Sequence, residues 1–87
     1  MLSNILIKLV EFVTLLGILG AGLILLAFVL NEFNIINKDN LSYDMLNFIG
    51  ALILVIYAYL IESYPFMVLN LIWMLVSFRD LWKRMKS

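Results

Sequence analysis

Few polar side chains lie inside the long apolar runs of this sequence, among them Asn47, Asn70, Trp73 and Ser77, with Tyr57 and Tyr59 beside them. An amide offers both donors and an acceptor, an indole offers one donor, and neither carries charge. Such groups suit an uncharged, hydrogen-bonding solute, or a bond between helices. Asn70, Trp73 and Ser77 follow at i, i+3 and i+7, which places them on one face of a helix. Polar groups within hydrocarbon are functional candidates by default, so Asn70, Trp73, Asn47 and Tyr57 are the expected substrate contacts. The competing role for Asn70 is a hydrogen bond across helices. Ser77 is expected to bond its own backbone. Tyr57 and Tyr59 point to different faces, and Tyr64 and Trp82 read as interface aromatics.

The missing residues narrow the chemistry further. The chain has no Cys and no His, so disulfides, thiol nucleophiles, imidazole bases and the usual zinc, haem and iron–sulfur sites are not expected. No Asp or Glu falls within the three expected spans: Glu11 sits at the end of the first, close to Lys8, and Glu62 sits in a connection. A carboxylate proton relay through the membrane is therefore not expected. No hydrolytic triad or phosphate loop is present, so the reading is neither an enzyme nor a cofactor protein. Six basic residues balance six acidic ones, which leaves no basic footprint for nucleic acid.

What positions these residues is an all-α membrane fold. Hydrophobic residues make up 66% of the 87, charged ones 14%, and the mean hydropathy is +1.10. A soluble domain this small could not bury so much apolar surface. Phe12 to Leu30 is an uncharged run of 19 residues, about 28 Å as a helix, close to the hydrocarbon thickness. Met45 to Ile61 supplies a second run. Tyr64 to Phe78 supplies a third, lengthened if Arg79 and Lys83 snorkel to the headgroups. The first run is too long for a signal peptide and reads as a retained helix. The expected architecture is one domain, 1–87, a three-helix transmembrane bundle with helices near 5–30, 43–61 and 65–83.

The stretch 31–44 is rich in Asn and Asp, as connections are, with Ser42 the expected N-cap of the second helix. Glu62-Ser63-Tyr64 makes a tight hairpin, and Pro65 falls in the first turn of the third helix. Helices two and three are therefore antiparallel neighbours. Close-packing faces are marked by Gly17 with Ala21, Gly20 with Gly22, and Gly50, Ala51 and Ala58. Arg79, Lys83, Arg84, Lys86 and Lys38 fall on one side of a three-span chain, against Lys8 on the other. The positive-inside rule then puts the C-terminus in the cytoplasm and the N-terminus outside the plasma (inner) membrane.

The segment from Tyr57 to Asn70, YAYLIESYPFMVLN, sets Tyr and Pro eight apart and Pro and Asn five apart. It resembles the second-to-third helix hairpin of the SemiSWEET-like (PQ-loop) half-transporters. The stretch Leu16 to Asn31 resembles that family's first helix. The chain differs at Leu30-Asn31, where that family carries Pro-Gln, and at Leu54, where a Trp is expected. Leu69-Asn70 and Trp73 are similar to a bacterial three-helix group labelled "permease". The resemblance implies a parallel homodimer in which each copy supplies half of a path for a small neutral polar solute, with Asn70 facing it. The alternative is a non-transporting membrane subunit that binds itself or another protein through its helix faces.

Overall fold

A computed structural model describes residues 1–86 and contains three α-helices: α1 (Leu2–Glu32), α2 (Leu41–Leu60) and α3 (Tyr64–Lys86). All three are long and apolar enough to cross a membrane, so the chain is all-helical with three candidate membrane spans. α1 and α3 outrun their expected bounds at both ends, while α2 begins two residues early and stops one residue short. Charged residues at the ends stay helical because neither Glu32 nor Lys83 to Lys86 breaks backbone hydrogen bonding.

Both connections are built on the same device. Asn34 adopts a left-handed conformation, φ 61°; its N–H bonds the Asn31 carbonyl at 3.1 Å, and the Ile35 N–H reaches back to Leu30 at 2.8 Å. Glu62, φ 59°, repeats this, with Glu62 N–H to Tyr59 at 3.1 Å and Ser63 N–H to Ala58 at 2.9 Å. These paired bonds close off the last carbonyls of α1 and α2. Asparagine tolerates that conformation; glutamate holds it only because the short hairpin requires the reversal there. Pro65 lies in the first turn of α3, where its missing N–H costs no helical bond.

Asn40, in extended conformation, takes the N-cap position of α2, so Ser42 lies inside the helix. The cause is the turn before it: the Asn40 N–H bonds the Asn37 carbonyl at 2.9 Å and ends the loop two residues early.

α2 is the middle helix. It packs against α1 on one side and α3 on the other, while α1 and α3 make no packed interface with each other. The result is a flat slab, 53 × 25 × 19 Å. The inward stripe of α2 is Asp44, Asn47, Ala51, Leu54 and Ala58, alternating steps of three and four as one helix face requires. α1 crosses α2 where Gly20 meets Gly50: a Cβ on either would lie within 3.0 Å of the other's carbonyl oxygen. Gly17 lies under the ring of Tyr57. Gly22 has open space around it and Ala21 is exposed, so the small residues expected to pack divide between a crossing face and an outward one. α1 has 31 residues against 20 in α2, and residues 2–12 of it are all exposed.

Candidate functional site

The four expected contacts do not share one pocket. Asn47 and Asn70 are buried, at 4% and 6% exposure, in the seam between α2 and α3, while Trp73 is 44% exposed. Ten residues separate Asn47 from Tyr57 along α2, about 15 Å of helix.

The seam does bring Asn47 and Trp73 together. Trp73 Nε1 donates to Asn47 Oδ1 at 3.2 Å, while Asn47 Nδ2 donates to the Tyr43 carbonyl at 2.8 Å. That second bond fixes the amide orientation, so the oxygen faces α3. The tryptophan thus acts as a tie between helices, its ring at the outer edge and its N–H turned inward. Amphipathic side chains with one polar atom adopt this pose readily. We expect Trp73→Phe to preserve folding and weaken α2–α3 cohesion by about 0.6 kcal/mol, the average for such bonds in membranes. Thermal melting in mild detergent, with Trp82→Phe as the comparison, reads the difference.

Asn70 is not an interhelical bond. Its Nδ2 donates to the Phe66 carbonyl of its own helix at 2.8 Å, and its Oδ1 accepts nothing from the described residues. Ser77, buried at 6%, makes no hydrogen bond with the described residues either, contrary to the expected backbone bond. No fully enclosed polar side-chain atom is left without a partner among the described residues, so both oxygens are reachable from outside the chain. Seven residues separate them, about 10 Å along one face of α3.

Tyr57 belongs to a different neighbourhood. Its ring meets Phe66 edge-on, with centroids 6.4 Å apart at 84°. It also lines an apolar cleft of about 250 Å³ with Leu9, Val13, Thr14 and Leu60, where α1 emerges past the end of α2. Tyr59, on the opposite side, is exposed.

The strongest polar cluster is one the sequence reading did not assemble. Asp44, where the expected connection and second helix overlap, is in the first turn of α2 and 3% exposed. Arg84 donates to it through Nε, to the Asp39 carbonyl through Nη1, and to the Lys38 carbonyl through Nη2 at 3.0 Å. Its Nη2 also lies 3.5 Å from Asp39 Oδ1. One guanidinium therefore fastens the end of α3 to the start of α2 and to the loop before it. Only arginine has enough fixed donors for this. The available signal was the paired occurrence of an acid in the first turn of α2 and a base near the end of α3.

Residues 13–87 match the sequence model of an uncharacterised protein family. The chain belongs to that family. No curated protein and no solved structure matches it. The family so defined covers α1 from residue 13 onward and the described residues of α2 and α3.

Proposed function

We propose that the chain is a small membrane subunit that works by lateral association of its helices, most simply as a parallel homodimer. What supports this is the pair of unused oxygens on α3, Asn70 Oδ1 and Ser77 Oγ, within a segment apolar enough to span a bilayer. Hydrocarbon supplies no hydrogen bonds, so such groups favour any neighbour that does. A second copy is a neighbour always present. Intact-mass measurement in mild detergents, with single-molecule counting in bilayers, should return a dimer. Asn70→Leu should lower the association constant about threefold, from about 0.6 kcal/mol per bond. A strictly monomeric species in every medium overturns this reading.

A second reading is a half-transporter that moves a small neutral polar solute through such a dimer. The same Asn70 oxygen favours it, because a solute hydroxyl could satisfy it, as the resemblance of residues 57–70 to half-transporter hairpins implies. Solute counterflow in proteoliposomes separates the readings. Transport abolished by Asn70→Leu at unchanged dimer content selects the transporter; no counterflow from a dimeric protein selects the non-transporting subunit.

For orientation, we propose that the C-terminus and the α1–α2 connection are cytoplasmic in the plasma (inner) membrane. The five-to-one Lys and Arg asymmetry supports it, as does the hydrogen bond from Arg84 to the Lys38 carbonyl, which keeps the tail and the connection on one side. Single cysteines at Ser63 and Ser87 are expected to react with an impermeant thiol reagent from opposite sides. Reaction of both from one side would contradict the topology.

A further inference from the structure

We infer that the α1–α2 connection is a binding site for a neutral, hydroxyl-rich group at the membrane surface. Four asparagines three residues apart, Asn31, Asn34, Asn37 and Asn40, surround a hollow of about 340 Å³, with Ile35 and Ile36 completing the wall. That volume is within the range of small-molecule sites. Asn31 and Ile36 are half-buried and form the floor, and the other four are exposed around the rim.

The amides are largely uncommitted. Asn37 Oδ1 accepts the Asp39 N–H at 3.2 Å; the side chains of Asn31, Asn34 and Asn40 make no hydrogen bond with the described residues. Each presents an oxygen that accepts and a nitrogen that donates twice. No charged side chain lines the hollow, which disfavours an ionic ligand. A hydroxyl both donates and accepts, so a ring of amides can engage several hydroxyls of one group together, while the isoleucines cover its C–H face.

The frame is held in place independently of any ligand. The Leu30 carbonyl accepts from both Ile35 and Ile36, at 2.8 and 3.2 Å, and Arg84 grips the carbonyls of Lys38 and Asp39 from α3. A preorganised site loses less freedom on binding. The hollow opens just beyond the last turn of α1, at the level of lipid headgroups if α1 spans. The hydroxyl-rich group could therefore belong to a glycolipid or to a free sugar.

The test uses the full chain in nanodiscs and follows hydrogen exchange of residues 31–40. Discs containing glucosyl-diacylglycerol, compared with phosphatidylcholine alone, are expected to protect this segment. Protection by glycolipid only assigns the headgroup; protection by soluble methyl glucoside in phosphatidylcholine discs assigns a free ligand. Asn31→Leu with Asn40→Ala should weaken binding about tenfold, since two amides are lost. This pair spares Asn34, whose left-handed backbone is needed for the turn, and Asn40 makes no side-chain cap bond. Exchange in the α2–α3 seam reports whether the variant is folded. No protection by either probe, or undiminished protection in the folded variant, overturns the assignment.

Discussion

Gly50→Leu is expected to separate α1 from α2. A Cβ at position 50 would lie 2.8 Å from Ile24 Cγ1 and 2.9 Å from the Gly20 carbonyl oxygen. The first of these can shift; the second is backbone and can be relieved only by moving a helix. Overpacking costs about 1–3 kcal/mol where neighbours repack. Between membrane helices there is little hydrophobic drive to set against it, because lipid is as apolar as leucine. Helicity should persist, since each helix satisfies its own backbone bonds. The measurement is therefore a distance: spin labels at Phe12 and Ile61, at the end where α1 passes the hairpin, should change from a narrow distribution to a broad one. Gly22→Leu is the comparison and should change nothing, because a Cβ there meets nothing within 4 Å. A narrow distance in Gly50→Leu would show that the crossing is not set by this glycine pair.

Removing Arg84 is the second large effect. Arg84→Leu leaves the Asp44 carboxylate, 3% exposed, without its counter-charge, and releases the Lys38 and Asp39 carbonyls. A buried charge deprived of its partner is strongly destabilising, whereas replacing both members by apolar residues is often close to neutral. Arg84→Leu should therefore lower the melting temperature in mild detergent substantially, and Asp44→Leu less, because Arg84 then keeps Asp39 and the two carbonyls. The double variant should melt above Arg84→Leu. Loop amides 38–40 should exchange faster in Arg84→Leu and in the double variant, since both lack the guanidinium. A double variant no more stable than Arg84→Leu would mean that the pair contributes through geometry, not through charge balance.

The three helices were legible because nothing in the chain could hide their apolar runs from water. The tight hairpin was legible from Pro65 and the short connection Glu62-Ser63-Tyr64 before it. Three other features depended on facts a single sequence does not carry. Gly20 and Gly22 are alike as residues, yet one sits under the Gly50 carbonyl and the other faces outward, because the register of two helices decides which face is inner. Asn70 and Asn47 are alike too. Both donate to a carbonyl four residues back, yet only Asn47 has its oxygen met, by an indole 26 residues away. Arg84 looked like one more cytoplasmic charge in a basic tail. Its role depends on α3 running nearly two turns further than its apolar stretch, which brings it level with Asp44.

The middle position of α2 has a consequence for how the protein is made. Its two seams share no third contact, since α1 and α3 do not pack together. If the helices insert in order as the chain emerges, α1 enters the bilayer with nothing to hold it, and the Gly20–Gly50 crossing becomes available once α2 follows. That half of the slab can be finished before α3 exists. During that interval Asp44 alone has to wait, its carboxylate near the membrane surface until Arg84, forty residues later, arrives to cover it. The α2–α3 seam is therefore the later of the two to close, and Arg84 is the residue that fastens it to the start of α2.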